Sequence, residues 1–290
     1  MSRLKDTDEF GARMKAYEAV ETARKLDPML PIYARIDGRA FSAFTRGMER
    51  PFDARMTAAM VETTKYLVHK TDARMGYTQS DEISLVWQAD KPESDVIFSG
   101  KVQKMVSVLA SMAAAKFATV IPAEFAGRLP HFDCRVFQLP SKDEAANAFL
   151  WRAMDARKNA ISMVAQSKFS DKALFGQDQK AMLAMLADLD IDFESFPASF
   201  RRGSFIRRDV TERELTADEL ARIPEKHRPT GPVMRTDMKV IDMPPFNKVS
   251  NRVAVIFDAA PAWTIPWRKI EASMKRRREQ KRISARKRKS

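Results

Sequence analysis

The sequence predicts an α+β fold, and three observations carry that expectation. Apolar residues alternate with polar ones in several short runs, the period of a half-buried strand. In two long runs they recur at every third or fourth position, the period of a helix. The runs follow one another in the order β-α-β-β-α-β.

Ile32, Ala34 and Ile36 alternate with Tyr33, Arg35 and Asp37, and Gly38 ends that strand. From 53 to 70, Met56, Met60, Thr63, Leu67 and Val68 fall on one helical face, with Asp53 as N-cap. A hairpin follows: one strand over 73–77, a turn near Gln79-Ser80, then Ile83, Leu85 and Trp87 alternating with Glu82, Ser84 and Val86. A long helix is expected over about 96–119, with Met105, Val108, Leu109 and Met112 on one side. Pro122 and Pro130 bound a loop before a strand at 132–139. This order is the split βαβ, or ferredoxin-like, arrangement. Polymerase palms and nucleotide cyclases share it. The first strand then lies beside the hairpin, so its end and the hairpin turn can meet on one sheet.

Ser141-Lys142-Asp143-Glu144 reads as a capping box opening a helix to about 166. Further expectations are a helix at 178–189, a strand at 199–207, a helix at 211–222, a short strand at 238–241 within a Pro-rich loop, and a strand at 252–257. The sequence divides into a palm-like catalytic domain (1–170), a helical and strand region packed on it (171–267) and a basic tail (268–290).

The net charge is +13 over 290 residues, and its distribution decides its meaning. Residues 268–290 hold twelve Lys or Arg against two Glu, which leaves the body near +3. Such an arm neutralises phosphates and releases their counterions, so nucleic acid is its natural partner; Lys275, Arg276, Arg277 and Arg278 are its densest run. Nothing approaches the roughly 20 apolar residues of a membrane helix. The first residues lack a signal-peptide core, and a soluble, cytoplasmic protein is expected. With one cysteine, Cys134, and three scattered histidines, zinc is disfavoured and any metal must be held by oxygen.

A magnesium site for nucleotidyl transfer needs one or two carboxylates besides the substrate phosphates. Asp37, at the end of a central strand, and Asp81, at the hairpin tip, occupy suitable places. Gly38 lets the backbone come close enough for its carbonyl to ligate. Read alone, Asp37-Gly38 after a strand is usually a turn signal, and Ser80-Asp81-Glu82 a common hairpin tip; falling at equivalent edges of one sheet within a basic chain, the two together point to a metal-nucleotide site.

The run Arg35-Ile36-Asp37-Gly38-Arg39-Ala40-Phe41, then Arg50-Pro51-Phe52-Asp53-Ala54-Arg55, then Gly76 through Ser84, resembles the tRNA-histidine guanylyltransferase family. Phe132-Asp133-Cys134-Arg135-Val136, Trp151-Arg152 and Arg201-Arg202-Gly203-Ser204 extend the resemblance over roughly 5–207. It implies an enzyme that adds nucleotides to the 5′ end of tRNA in the 3′-to-5′ direction, with GTP and ATP as substrates. It further implies two magnesium ions, replaceable by manganese, on Asp37, Gly38 and Asp81. Asp37, Gly38, Arg39, Ala40, Phe41 and Ser42, with Ser80 and Asp81, would cradle the triphosphate, and Lys104 and Arg135 would contact phosphates. A homo-oligomer, a tetramer by resemblance, is expected.

Two departures qualify it. Where eukaryotic members carry a His-x-Asn-Asn-x-x-Asn run, this chain reads Arg157-Lys158-Asn159-Ala160-Ile161-Ser162-Met163, and Ser42 stands where a histidine is frequent. Both resemble the bacterial, archaeal and viral "like" branch, whose members extend opposite a template and repair truncated tRNAs. Arg157 and Lys158 are then candidate RNA contacts. A palm-fold nucleotide cyclase and an inert RNA-binding module are the alternative readings.

Overall fold

A computed structural model describes residues 9–264 of the chain; the basic tail, with Lys275, Arg276, Arg277 and Arg278, lies outside the described residues. Strands β1 (Ile32–Gly38), β2 (Met75–Gln79), β3 (Glu82–Trp87), β4 (Phe132–Gln138), β5 (Ser204–Arg213) and β6 (Val233–Ile241) form one sheet in the order β4-β1-β3-β2-β5-β6. Every neighbouring pair is antiparallel. The main helices are α1 (Glu9–Thr22), α2 (Ala54–Thr71), α3 (Val102–Val120), α4 (Lys142–Gln166), α5 (Gln179–Ala187), α6 (Ala198–Arg202) and α7 (Arg252–Phe257). No described helix is long and apolar enough to cross a membrane.

Strand alternation sorts β1 between two cores. Ile32, Ala34 and Ile36 point into the core shared with α2 and α3, around Met60, Leu67, Met105, Leu109 and Phe117. Tyr33 points the other way, into a core with Phe149 of α4 and Val255 and Ile256 of α7. The sheet is thus a central layer with helices on both faces. β5 and β6, which follow residue 170, join the same sheet through the β2–β5 pairing.

α2 starts where its cap dictates: the Asp53 carboxylate accepts from the Arg55 N–H at 2.9 Å. Ser141 Oγ accepts from the Glu144 N–H at 3.2 Å, while the Glu144 carboxylate takes the Asn147 amide instead of completing the box. The complete capping box is at Thr216 and Glu219.

Several expected elements differ. α3 begins at Val102 because Phe98 (φ 55°) and Ser99 (φ 50°) break the helical path before it. Residues 199–207 split into α6 and β5 around Gly203, whose φ of 73° glycine adopts freely and where a Cβ would meet the Tyr77 hydroxyl at 2.5 Å. β5 runs on to Arg213 against β6, so the helix expected at 211–222 shrinks to Ala217–Ala221 and the strand expected at 238–241 lengthens to Val233–Ile241. Residues 252–257 form helix α7, not a strand. A six-residue apolar run has no decisive period, and here Val255, Ile256 and Phe257 are buried beside α4.

Candidate active site

β1 and the β2–β3 turn bring Asp37 and Asp81 together. Asp37 is in register with Glu82 of β3 on one side and Asp133 of β4 on the other. One residue on, the Gly38 N–H donates to the Asp81 carbonyl at 3.0 Å, tying the strand end to the hairpin tip. Ser80 makes that tip tight by adopting φ 48°. Gly38 is glycine for a packing reason: a Cβ there would meet the Phe41 ring at 2.4 Å.

Burial raises the Asp37 carboxyl above the usual carboxylate range and the Asp133 charge adds to this, against Arg135, Arg35 and Arg152. Burial raises Asp81 as well; the Ser80 hydroxyl opposes the shift and the Asp37 charge adds to it. Two partly buried carboxylates that repel one another form an all-oxygen donor pair suited to a hard cation. Among the described residues no cluster of three or more His, Cys, Asp and Glu side chains forms.

Behind them, Glu82 and Arg152 form a buried ion pair, Nε to Oε1 at 2.7 Å and Nη2 to Oε2 at 2.6 Å. Arg152 also reaches Asp155 at 3.1 Å. Arg35, on the same sheet face as Asp37, places its guanidinium over the Trp151 ring at 5.4 Å.

Two hollows meet at the Ser80-Asp81 turn. One, of about 370 Å³, has an apolar floor of Met48, Met56, Met60, Met163 and Phe200, and polar Ser42, Thr57 and Asn159. The other, about 490 Å³ and more open, holds Arg35, Asp37, Glu82 and Arg152; Asn159 and Met163 line both.

The residues singled out in the sequence distribute unevenly over this site. Ser80 and Asp81 line both hollows, Phe41 and Ser42 the first, and Asp37 the second. Phe41 is a core residue, packed on Phe44 at 4.8 Å and Phe132 at 5.0 Å. Arg39 is exposed and its N–H donates to the His131 carbonyl at 2.9 Å; Ala40 is left-handed at φ 56°. Arg135 is the register partner of Arg35 and half-exposed, within reach of Asp133 at 3.5 Å.

Lys104 is not brought to the carboxylates. α3 runs parallel to β1, with Phe117 near its C-terminus packed on Phe41 and Phe132 at the Asp37 end. Lys104, in the first turn, lies about 20 Å back along the helix axis. There its ammonium sits over Phe98 at 5.1 Å, beside the Lys25–Lys101 bridge. Lys101, the neighbouring cation that precedes α3, is at the same far end. Arg157 is engaged within the chain, with Glu194 at 2.8 Å and over the Phe193 ring at 5.0 Å, whereas Lys158 is exposed. Sequence reasoning missed Arg35, Glu82, Arg152 and Asn159 as site residues. Arg35 was legible from its period-2 relation to Asp37.

The family model for tRNAHis guanylyltransferase matches residues 11–140. Among solved structures, a bacterial tRNA(His) guanylyltransferase-like protein in complex with ATP is 33% identical; the match covers 87% of this chain and 98% of that one, with a TM-score of 0.72. A bacterial guanylyltransferase-like protein in complex with GTP is 34% identical over 83% of this chain and 95% of that one, with a TM-score of 0.68. The tRNA(His) guanylyltransferase of Schizosaccharomyces pombe is 30% identical over 50% of this chain and 58% of its own length. With this sheet and these paired carboxylates, the class is an enzyme, a nucleotidyltransferase. More particularly, the chain belongs to the tRNA-histidine guanylyltransferase family.

Proposed function

We propose that the protein is a magnesium-dependent enzyme that adds nucleotides, GTP favoured, to the 5′ end of tRNA in the 3′-to-5′ direction. The task is maturation of histidine tRNA or template-dependent repair of a truncated 5′ end. The observation that carries this reading is the pairing of Asp37 and Asp81 where two hollows meet. One nucleotide-sized space on each side of a carboxylate pair suits a reaction that joins two nucleotides. The β1–β4 portion, in the order β4-β1-β3-β2 with α2 and α3 on one face, supports reading it as a palm-type core.

In the first step an oxygen of the RNA 5′-monophosphate attacks the α-phosphorus of ATP and expels pyrophosphate. In the second, the 3′-hydroxyl of GTP attacks the RNA 5′-phosphorus and expels AMP. An RNA end that already carries a triphosphate loses pyrophosphate directly. Asp37 and Asp81 would hold magnesium, which supplies charge neutralisation and activation of the attacking hydroxyl. The chain's own part is positioning. Arg35 and Arg135 present positive charge on the Asp37 face, and the apolar floor excludes water from one side of a bound base. The bacterial relatives that hold ATP and GTP support the choice of substrates. A homo-oligomer in the cytoplasm and an RNA-binding tail complete the reading.

The test mixes full-length protein with 5′-truncated tRNA, each nucleoside triphosphate and magnesium. Wild type extends the 5′ end, and Asp37→Ala and Asp81→Ala do not. Cyclic nucleotide formed without RNA, or undiminished extension by either variant, overturns the reading.

A further inference from the structure

We infer that Trp151 is a stacking platform for the terminal base of the RNA, at the mouth of the open hollow, with Arg35 and Arg135 as its phosphate-facing flank. The inference rests on the proposed reaction and adds the place where the polynucleotide end is held.

Sheet parity puts the parts together. Tyr33, Arg35 and Asp37 share one face of β1, and their partners Arg135 and Asp133 on β4 share it too. α4 covers that face over β3, through Phe149 and the buried Arg152–Glu82 pair. It leaves the outer half open, where the Asp133 and Arg135 side chains are 50% and 54% exposed. Trp151 stands at the border between the covered and open halves.

Its exposure is what needs a physical reason. Trp87 is 2% exposed and donates its indole N–H to the Thr71 carbonyl at 2.8 Å. Trp151 is 53% exposed. What borders its ring is positive: the Arg35 guanidinium at 5.4 Å and the Arg152 guanidinium at 4.5 Å. Arg152 is committed to Glu82. The Arg35 guanidinium forms no ion pair or side-chain hydrogen bond among the described residues, so its donors are available. An open indole beside uncommitted guanidinium donors, on a sheet face that leads to a carboxylate pair, is the equipment for an unpaired nucleotide. The ring takes a base by stacking and the guanidinium takes its phosphate. A nucleoside triphosphate in the apolar hollow would lie on the other side of the Ser80-Asp81 turn, so the two substrates do not compete for this surface.

The test compares Trp151→Ala and Trp151→Phe with wild type in full-length protein. KM for 5′-truncated tRNA and KM for the nucleoside triphosphate are measured separately. The Ala variant is expected to raise the RNA KM by roughly tenfold or more. The nucleotide KM stays put, and the Phe variant recovers most of the loss. An unchanged RNA KM in a folded Ala variant, checked by circular dichroism, overturns the inference. Wild type is tested in parallel with an RNA carrying 5-iodouridine as its 5′-terminal nucleotide. Photocrosslinking is expected to label the peptide that contains Trp151, and a crosslink confined to other peptides overturns the inference even if the Ala variant does not fold. The crosslink needs no turnover. If wild type extends nothing, the proposed reaction fails while the platform is still decided.

Discussion

The guanidinium of Arg152 meets both carboxylate oxygens of Glu82, 70 residues away in sequence, with both side chains buried. Glu82 follows Asp81 directly and sits opposite Asp37 in the sheet. The pair therefore pins the hairpin tip to α4 from behind the carboxylates. Removing one partner leaves a buried charge uncompensated, at a cost of about 3–5 kcal/mol. Arg152→Ala should lower the free energy of unfolding in urea by that amount. Replacing both residues, as Glu82→Leu with Arg152→Met, should recover much of the stability but not the activity.

Gly38→Ala separates stability from positioning differently. Its Cβ would press on the Phe41 ring, already enclosed by Phe44, Phe117 and Phe132. Overpacking of this kind costs about 1–3 kcal/mol. Relief requires the strand end to move, and the Gly38–Asp81 hydrogen bond carries that movement to the second carboxylate. The variant should fold and lose most nucleotidyl transfer, as read by extension assays beside thermal melts.

Asp53 makes stability depend on acidity. Its buried carboxylate accepts from the Arg55 guanidinium at 2.7 Å and from the N–H groups of Arg55 and Glu49 at 2.9 and 3.1 Å, which hold its carboxyl well below the usual carboxylate range. The side-chain bond to Arg55 is the largest cause. A folded-state pKa below the unfolded one means stability that is complete above the unfolded value, ~3.9, and lost as pH falls from there through the folded value. Urea midpoints of wild type should drop over that acid range. Asp53→Asn keeps a competent cap but loses the charge of the Arg55 pair, so it should start lower and show a smaller acid dependence.

Cys134 should be unreactive in the folded protein. It is 7% exposed, and burial, helped by the Asp133 charge, pushes its thiol up to about 12. A thiol-specific disulfide reagent at pH 8 should modify it slowly in buffer and rapidly in denaturant; fast modification of native protein would contradict its placement under α3.

Asp37 and Asp81 were legible because local pattern and position coincide there: alternation ends at one, and a turn between two alternating runs holds the other. Lys104 was not. Its type and spacing are visible, but the direction in which α3 crosses the sheet is not, and that direction puts it at the remote end. The Glu82–Arg152 pair was invisible for a related reason: it joins residues whose separation says nothing about contact. Arg252–Phe257 failed as a strand because six apolar residues fit either period, and packing against α4 decided between them.

The Ser80-Asp81 turn walls both hollows. A substitution in it therefore alters the wall of both compartments at once. Dissection has to begin at residues that belong to one side only, such as Phe52 for the apolar chamber and Arg35 for the open one. The turn itself is a shared partition, one short piece of backbone that shapes two chambers at once.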